Sequence, residues 1–146
     1  MGTLWAFTPA TGAPVHGCRR LQTLQRYLWH AAGDQCLSSI GQALRDSLLR
    51  PVDAVARFCG EEFVILLPET TREGALAVAQ RVLDQIDVRA IPHQTSDVAS
   101  HVTASIGIAL QIPDRNSSSA LLLENADKAL YRAKRAGRHQ AVMYAE

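Results

Sequence analysis

Leu37, Ile40, Leu44 and Leu48 recur at intervals of three and four, the spacing that lines one face of an α-helix. This register runs from Ala31 to just before Pro51, with Gly33-Asp34 as a candidate cap at its front. Two strand-like runs, 52–58 and 63–67, then flank the tight turn Cys59-Gly60-Glu61-Glu62. The second run is apolar throughout, the pattern of a strand buried on both faces, and Pro68 ends it. Thr70 and Glu73 have the spacing of a capping box, and Ala75, Val78, Ala79, Val82 and Ile86 make the stripe of a second helix. After a polar loop at 89–97, the β-branched, alternating run 101–110 predicts a third strand. A Ser-rich start at 116–119 leads into a third helix marked by Leu122, Ala126, Ala129, Leu130 and Ala133, which stops at Gly137 before a closing strand in "QAVMYA". The order predicts an α+β fold, a mostly antiparallel central sheet covered by helices. Residues 1–29 carry no sustained strand pattern and are expected to be irregular, although a sheet built on a central hairpin wants one more strand.

Composition narrows the setting. A chain of 146 residues with 47% hydrophobic and 20% charged content fits one domain, 1–146, with a real core. A net charge of +1 without a long run of like charge argues against bulk attraction to nucleic acid or an anionic membrane, so any anion must be held locally. Cys18, Cys36 and Cys59 are odd in number and lack metal-ligand spacing, which predicts reduced thiols in a cytoplasmic protein. No apolar run is long enough to span a membrane, and the N-terminus has neither signal-peptide nor myristoylation pattern.

The chemistry concentrates in the turn. Adjacent carboxylates at Glu61 and Glu62 suit a solvated hairpin tip; they equally suit a hard cation such as Mg²⁺, with Gly60 letting backbone approach a bound phosphate. Lys134 and Arg138 flank Gly137, where basic residues commonly serve a helix C-terminus. Arg50 and Asp53 have the spacing of a surface ion pair. Asp34 also fits a helix cap, and His93, His101 and His139 show no ligand spacing.

Together, "HAAGD", "RFCGEEF", "VTASIGIA" and "NADKALYRAKRAGRHQ" resemble, in order and spacing, the GGDEF family of diguanylate cyclases. The resemblance covers 30–146. It implies that Glu61 and Glu62 are catalytic carboxylates and that Glu61 binds Mg²⁺ (or Mn²⁺). It implies that Asp34 reads guanine, that Gly60, Lys134 and Arg138 hold the phosphates of GTP, and that Arg50, Asp53 and Arg81 form an inhibitory product site. The implied reaction condenses two GTP into cyclic di-GMP and pyrophosphate. Because one domain holds one GTP, a second GGDEF domain, as in a homodimer, is the implied partner. An inactive cyclic di-GMP receptor and a dimerisation module are the competing functions.

The sequence departs from the family in two places. Cys59 replaces the first Gly of the signature, which would cost about 1–2 kcal/mol if that position needed positive φ. Upstream, the family's Asp-x-Asp-x-Phe-Lys-x-x-Asn-Asp segment is missing: the first Asp aligns with Gly17 and the Asn with Gln25, which removes a metal carboxylate and a guanine ligand. Reduced or absent cyclase activity is therefore expected. In one legitimate back-translation of 19–29, reading one base forward spells Val-Asp-Phe-Lys-Leu-Tyr-Asn-Asp-Thr-Tyr, so a shifted reading frame would account for the loss. The nucleotide sequence decides that.

Overall fold

The structure, a computed structural model, describes residues 2–9, 22–93, 98–114 and 117–145. Along them run β1 (Gly2–Pro9), α1 (Gln22–Ser47), β2 (Ala54–Cys59), β3 (Glu62–Pro68), α2 (Arg72–Arg89), β4 (Ala104–Gln111), α3 (Ser119–Arg135) and β5 (Gln140–Met143). The strands form one sheet in the order β2-β3-β1-β4-β5. Among the described residues its one parallel contact is β4 with β5; β1 pairs antiparallel with both β3 and β4, and β2 with β3. The α+β, mostly antiparallel architecture is the expected one.

The largest departure is at the front of the chain. Residues 1–29 are expected to be irregular, yet Gly2–Pro9 occupies the middle of the sheet, hydrogen-bonded on both sides, and α1 begins at Gln22. A central strand is fixed by ladders on both edges rather than by alternation, so its sequence, "GTLWAFTP", need carry no period-two signal. Gly33-Asp34 consequently lies inside α1 and caps nothing. A helix-interior glycine costs about 1 kcal/mol relative to alanine, which the buried Ile40, Ala43 and Leu44 further along α1 outweigh. The cap of α2 is also displaced by one residue: Thr71 rather than Thr70 accepts from the Gly74 N–H, at 3.2 Å.

Alternation in β3 and β4 decides which helices cover which face. Phe63, Ile65 and Leu67 of β3 and Ala104, Ile106 and Ile108 of β4 join Ile40 and Leu44 of α1 and Ala79, Val82 and Ile86 of α2 in one buried cluster. The other face of β4 presents Ser105, Gly107 and Ala109, all small, and there α3 seats Ala126, Ala129, Leu130 and Ala133. A Cβ on Gly107 would lie 2.1 Å from the Ala126 carbonyl oxygen and 2.3 Å from the Leu130 nitrogen. Small residues on both sides let helix and strand backbones touch, which fixes where the C-terminal end of α3 emerges.

Candidate nucleotide site

The β2–β3 ladder shifts register between Arg57 and Cys59, so that Cys59 pairs with Glu62 across the turn. Gly60 has φ +53° with nothing within 4 Å of a would-be Cβ, so the left-handed backbone rather than crowding calls for glycine. Cys59 is not among the described non-glycine residues with positive φ, so the strain considered for it does not arise. The Arg57 Nε–H donates to the Gly60 carbonyl at 2.6 Å and tightens the tip.

Glu61 is half-buried in this tip, and burial pushes its carboxyl above the usual range; Lys134 pulls it back down, and neighbouring Glu62 raises it further. Cys36 of α1 lies close by: burial raises its thiol, and the charge of Glu61 adds to the rise. The turn, α1 and the last turn of α3 therefore meet around one carboxylate. Cys36 is a member of this group that sequence reasoning missed, since a cysteine in mid-helix without ligand spacing gives no signal. Asp34, two residues earlier on α1, is exposed and points from a different side of the helix.

Lys134 and Arg138 owe their placement to the way α3 ends. Ala136 caps the helix, Gly137 takes φ +114°, and the Arg138 N–H reaches back to the Ala133 carbonyl at 3.0 Å, as in a Schellman ending. Arg138 and His139 then also adopt positive φ, 62° and 48°. Left-handed backbone costs a non-glycine residue about 1–2 kcal/mol, so a run of two needs outside support.

Arg50 and Arg81, the other two arginines expected at a site, are engaged within the fold. Arg50 Nε–H donates to Asp53 Oδ1 at 3.0 Å, and its Nη2 donates to Asp53, to the Pro68 carbonyl at 2.8 Å and to Thr70 Oγ1 at 2.6 Å. The Asp53 side chain is only 2% exposed, whereas that of Arg50 is 41% exposed. The pair thus pins the 50–53 turn to the end of β3, and Arg50→Ala is expected to lower Tm by several degrees in a thermal melt by stranding the Asp53 carboxylate. An unchanged Tm would show the pair to be idle. Arg81 donates to the Ser47 carbonyl at 2.8 Å, closing the end of α1.

Among the described residues, no group of three or more His, Cys, Asp or Glu side chains is placed to hold a metal ion. Gly17, where the family's first Asp aligns, lies outside the described residues; the described strand that runs beside the hairpin is β1. Its ladder with β3 ends at Phe7 opposite Phe63. Extrapolated beyond that pair, the register would bring Thr8 toward Glu62 and Pro9 toward Glu61 in the turn that precedes β3, and β1 contains no acidic residue. Glu61 and Glu62 suit a hard cation in type but supply only one side of its shell. No helix among the described residues is long and apolar enough to cross a membrane.

A sheet of this order, with a charged hairpin tip beside the cationic end of a helix, defines a palm-like nucleotidyl-cyclase domain. The chain belongs to the family described as "Diguanylate cyclase, GGDEF domain", whose pattern matches residues 17–140, starting within the stretch expected to fall outside it. It is 35% identical over 114 residues to diguanylate cyclase A of Treponema denticola, covering 78% of this chain and 30% of that protein. It is 41% identical over 109 residues to diguanylate cyclase DgcP of Pseudomonas aeruginosa, covering 75% of this chain and 16% of that one. The chain thus spans less than a third of either relative. Among solved structures it is similar to the GGDEF domain of TpbB from Pseudomonas aeruginosa, with a TM-score of 0.73, 30% identity, and coverage of 99% of this chain and 83% of that one.

Proposed function

We propose that the chain is a GTP-binding diguanylate cyclase domain with a weakened metal centre. What carries the reading is Glu61: a half-buried carboxylate on a left-handed glycine turn, electrostatically coupled to Lys134 at the end of α3. In this reading Lys134 and Arg138 take the terminal phosphates of GTP, Gly60 lets them approach the turn, and Asp34 accepts from the guanine N–H edge. Glu61, with Glu62 beside it, holds Mg²⁺ or Mn²⁺, which when bound neutralises charge on the phosphates. Two domains face each other as a homodimer, and the 3′-hydroxyl of each GTP attacks the partner's α-phosphate, expelling pyrophosphate. β1 contributes no acidic residue to this centre, so turnover is expected to be low or absent while GTP binding persists.

The test is cyclic di-GMP formation from GTP and Mg²⁺ by the purified protein, alongside a thermal melt with GTP. A GTP-dependent rise in Tm with little product is the expected result. Efficient synthesis would overturn the weakened centre, and no response to GTP would overturn the nucleotide site. A product-binding role for Arg50, Asp53 and Arg81 has less support, because Arg50 is already held by Asp53, Thr70 and the Pro68 carbonyl, and Arg81 gives its Nη1 to the Ser47 carbonyl. Calorimetry with cyclic di-GMP tests the receptor reading; the Arg50→Ala comparison needs a temperature at which that variant is folded.

A further inference from the structure

Asp87 sits in the last turns of α2 and bridges two histidines. Its Oδ2 lies 2.8 Å from His139 Nε2, and its Oδ1 lies 3.2 Å from His101 Nε2. The two rings meet edge to face with centroids 6.4 Å apart. One carboxylate thus ties α2 both to the segment entering β4 and to the segment between α3 and β5. His139 is the second of the two consecutive left-handed residues, and Arg138 is the first. Gln140 adds a tether, its Nε2 donating to the Ala133 carbonyl at 3.2 Å, the same oxygen that accepts the Arg138 N–H at 3.0 Å.

We propose that Asp87 is a positioning residue for the triphosphate site: by gripping His139, and bracing that grip with His101, it holds the 137–139 backbone in its left-handed path and so aims Arg138. The inference rests on the phosphate role given above to Arg138. The physical need is clear from the dihedrals. Two non-glycine residues in a row at positive φ relax toward ordinary backbone unless something outside the turn opposes it. The contact that does so at His139 is Asp87, 52 residues earlier in sequence. Relaxation at either position would redirect the Arg138 side chain, which leaves the chain from inside this turn. Asp87 touches no substrate in this scheme; its effect passes through backbone geometry.

The test uses Asp87→Ala and His139→Gly, singly and combined, in the whole chain. Hydrogen exchange at the Arg138 amide reads the turn directly, without ligand, and calorimetry with GTP reads its consequence. Asp87→Ala is expected to strip protection from the Arg138 amide, while the amides of β3 and β4 stay protected. It is expected to weaken GTP binding about tenfold, the scale of losing one well-placed charged contact. Glycine at 139 adopts left-handed backbone without strain, so Asp87→Ala should cost markedly less affinity in the His139→Gly background. Unchanged Arg138 protection in Asp87→Ala, or equal affinity losses in the two backgrounds, would overturn the proposal. If the parent protein fails to bind GTP, the nucleotide reading falls and the positioning of a phosphate ligand falls with it. The exchange result then still decides whether Asp87 holds the turn.

Discussion

Replacing Gly107 with valine is expected to abolish the cooperative unfolding transition, and Gly107→Ala is expected to cost about 3 kcal/mol or more in a urea titration followed by circular dichroism. The atoms that a new Cβ would meet, at 2.1 Å and 2.3 Å, are the Ala126 carbonyl oxygen and the Leu130 nitrogen. Both belong to the helix backbone, so no rotamer change relieves the clash; α3 must lift off β4. Lifting it unseats Ala126, Ala129, Leu130 and Ala133 together, the whole buried face of α3. A domain of this size has only about 5–15 kcal/mol of net stability, so the branched side chain takes a large share of the total. The alanine variant adds a functional reading. Lys134 and the 136–139 turn ride on the end of α3, so its residual folded population should also hold GTP less tightly. A urea midpoint for Gly107→Ala equal to that of the parent would mean that helix and strand are not in backbone contact.

That contact explains which parts of the fold the sequence discloses. α2, α3, β3 and β4 each carry their own periodicity, because each buries one face, or both, against neighbours that the pattern itself implies. β1 does not: its place is dictated by β3 and β4, residues 63–68 and 104–111, and its own eight residues hold no alternation that says so. The glycine at 107 is visible as a letter, but its necessity is a property of α3, which arrives later in the chain. Within the site, the turn was legible because Gly60, Glu61 and Glu62 are contiguous, and Lys134 and Arg138 because they bracket a helix-stopping glycine. Cys36 near Glu61 and Asp87 between two histidines were not, since each becomes a neighbour only through tertiary packing. Arg50 shows the converse. Its spacing to Asp53 is readable, whereas its bonds to Pro68 and Thr70 come from the hairpin returning to the 50–53 turn.

Introducing an acid on β1 should rebuild the metal centre, and Pro9→Asp is the substitution the register selects. Residues directly opposite on neighbouring antiparallel strands share a face with Cβ atoms about 4.5–5.5 Å apart, a span that two carboxylates can close around one Mg²⁺. In the metal-free protein the change should be unfavourable. Burial and Glu62 already hold the Glu61 carboxyl above its usual range, against the pull of Lys134, and a second nearby carboxylate raises it further. A raised carboxyl binds its proton more tightly in the folded chain than in the unfolded one, so folding stability falls as pH rises from the ordinary carboxylate value through the raised one. That loss persists at neutral pH. Pro9→Asp should therefore melt below the parent at pH 7 without metal, Glu61→Gln should melt slightly above it, and both differences should fade below about pH 4. Mg²⁺ reverses the order. It competes with the proton for the paired carboxylates, so it should raise the Tm of Pro9→Asp more than that of the parent, increasingly so toward higher pH, and leave Glu61→Gln unmoved. Affinity for Mg²⁺ in the presence of GTP is expected to rise about tenfold, and cyclic di-GMP synthesis with it. A Pro9→Asp protein whose melting is no more sensitive to Mg²⁺ than the parent's would show that β1 does not stand opposite Glu61, and that the weakness of the centre has another cause.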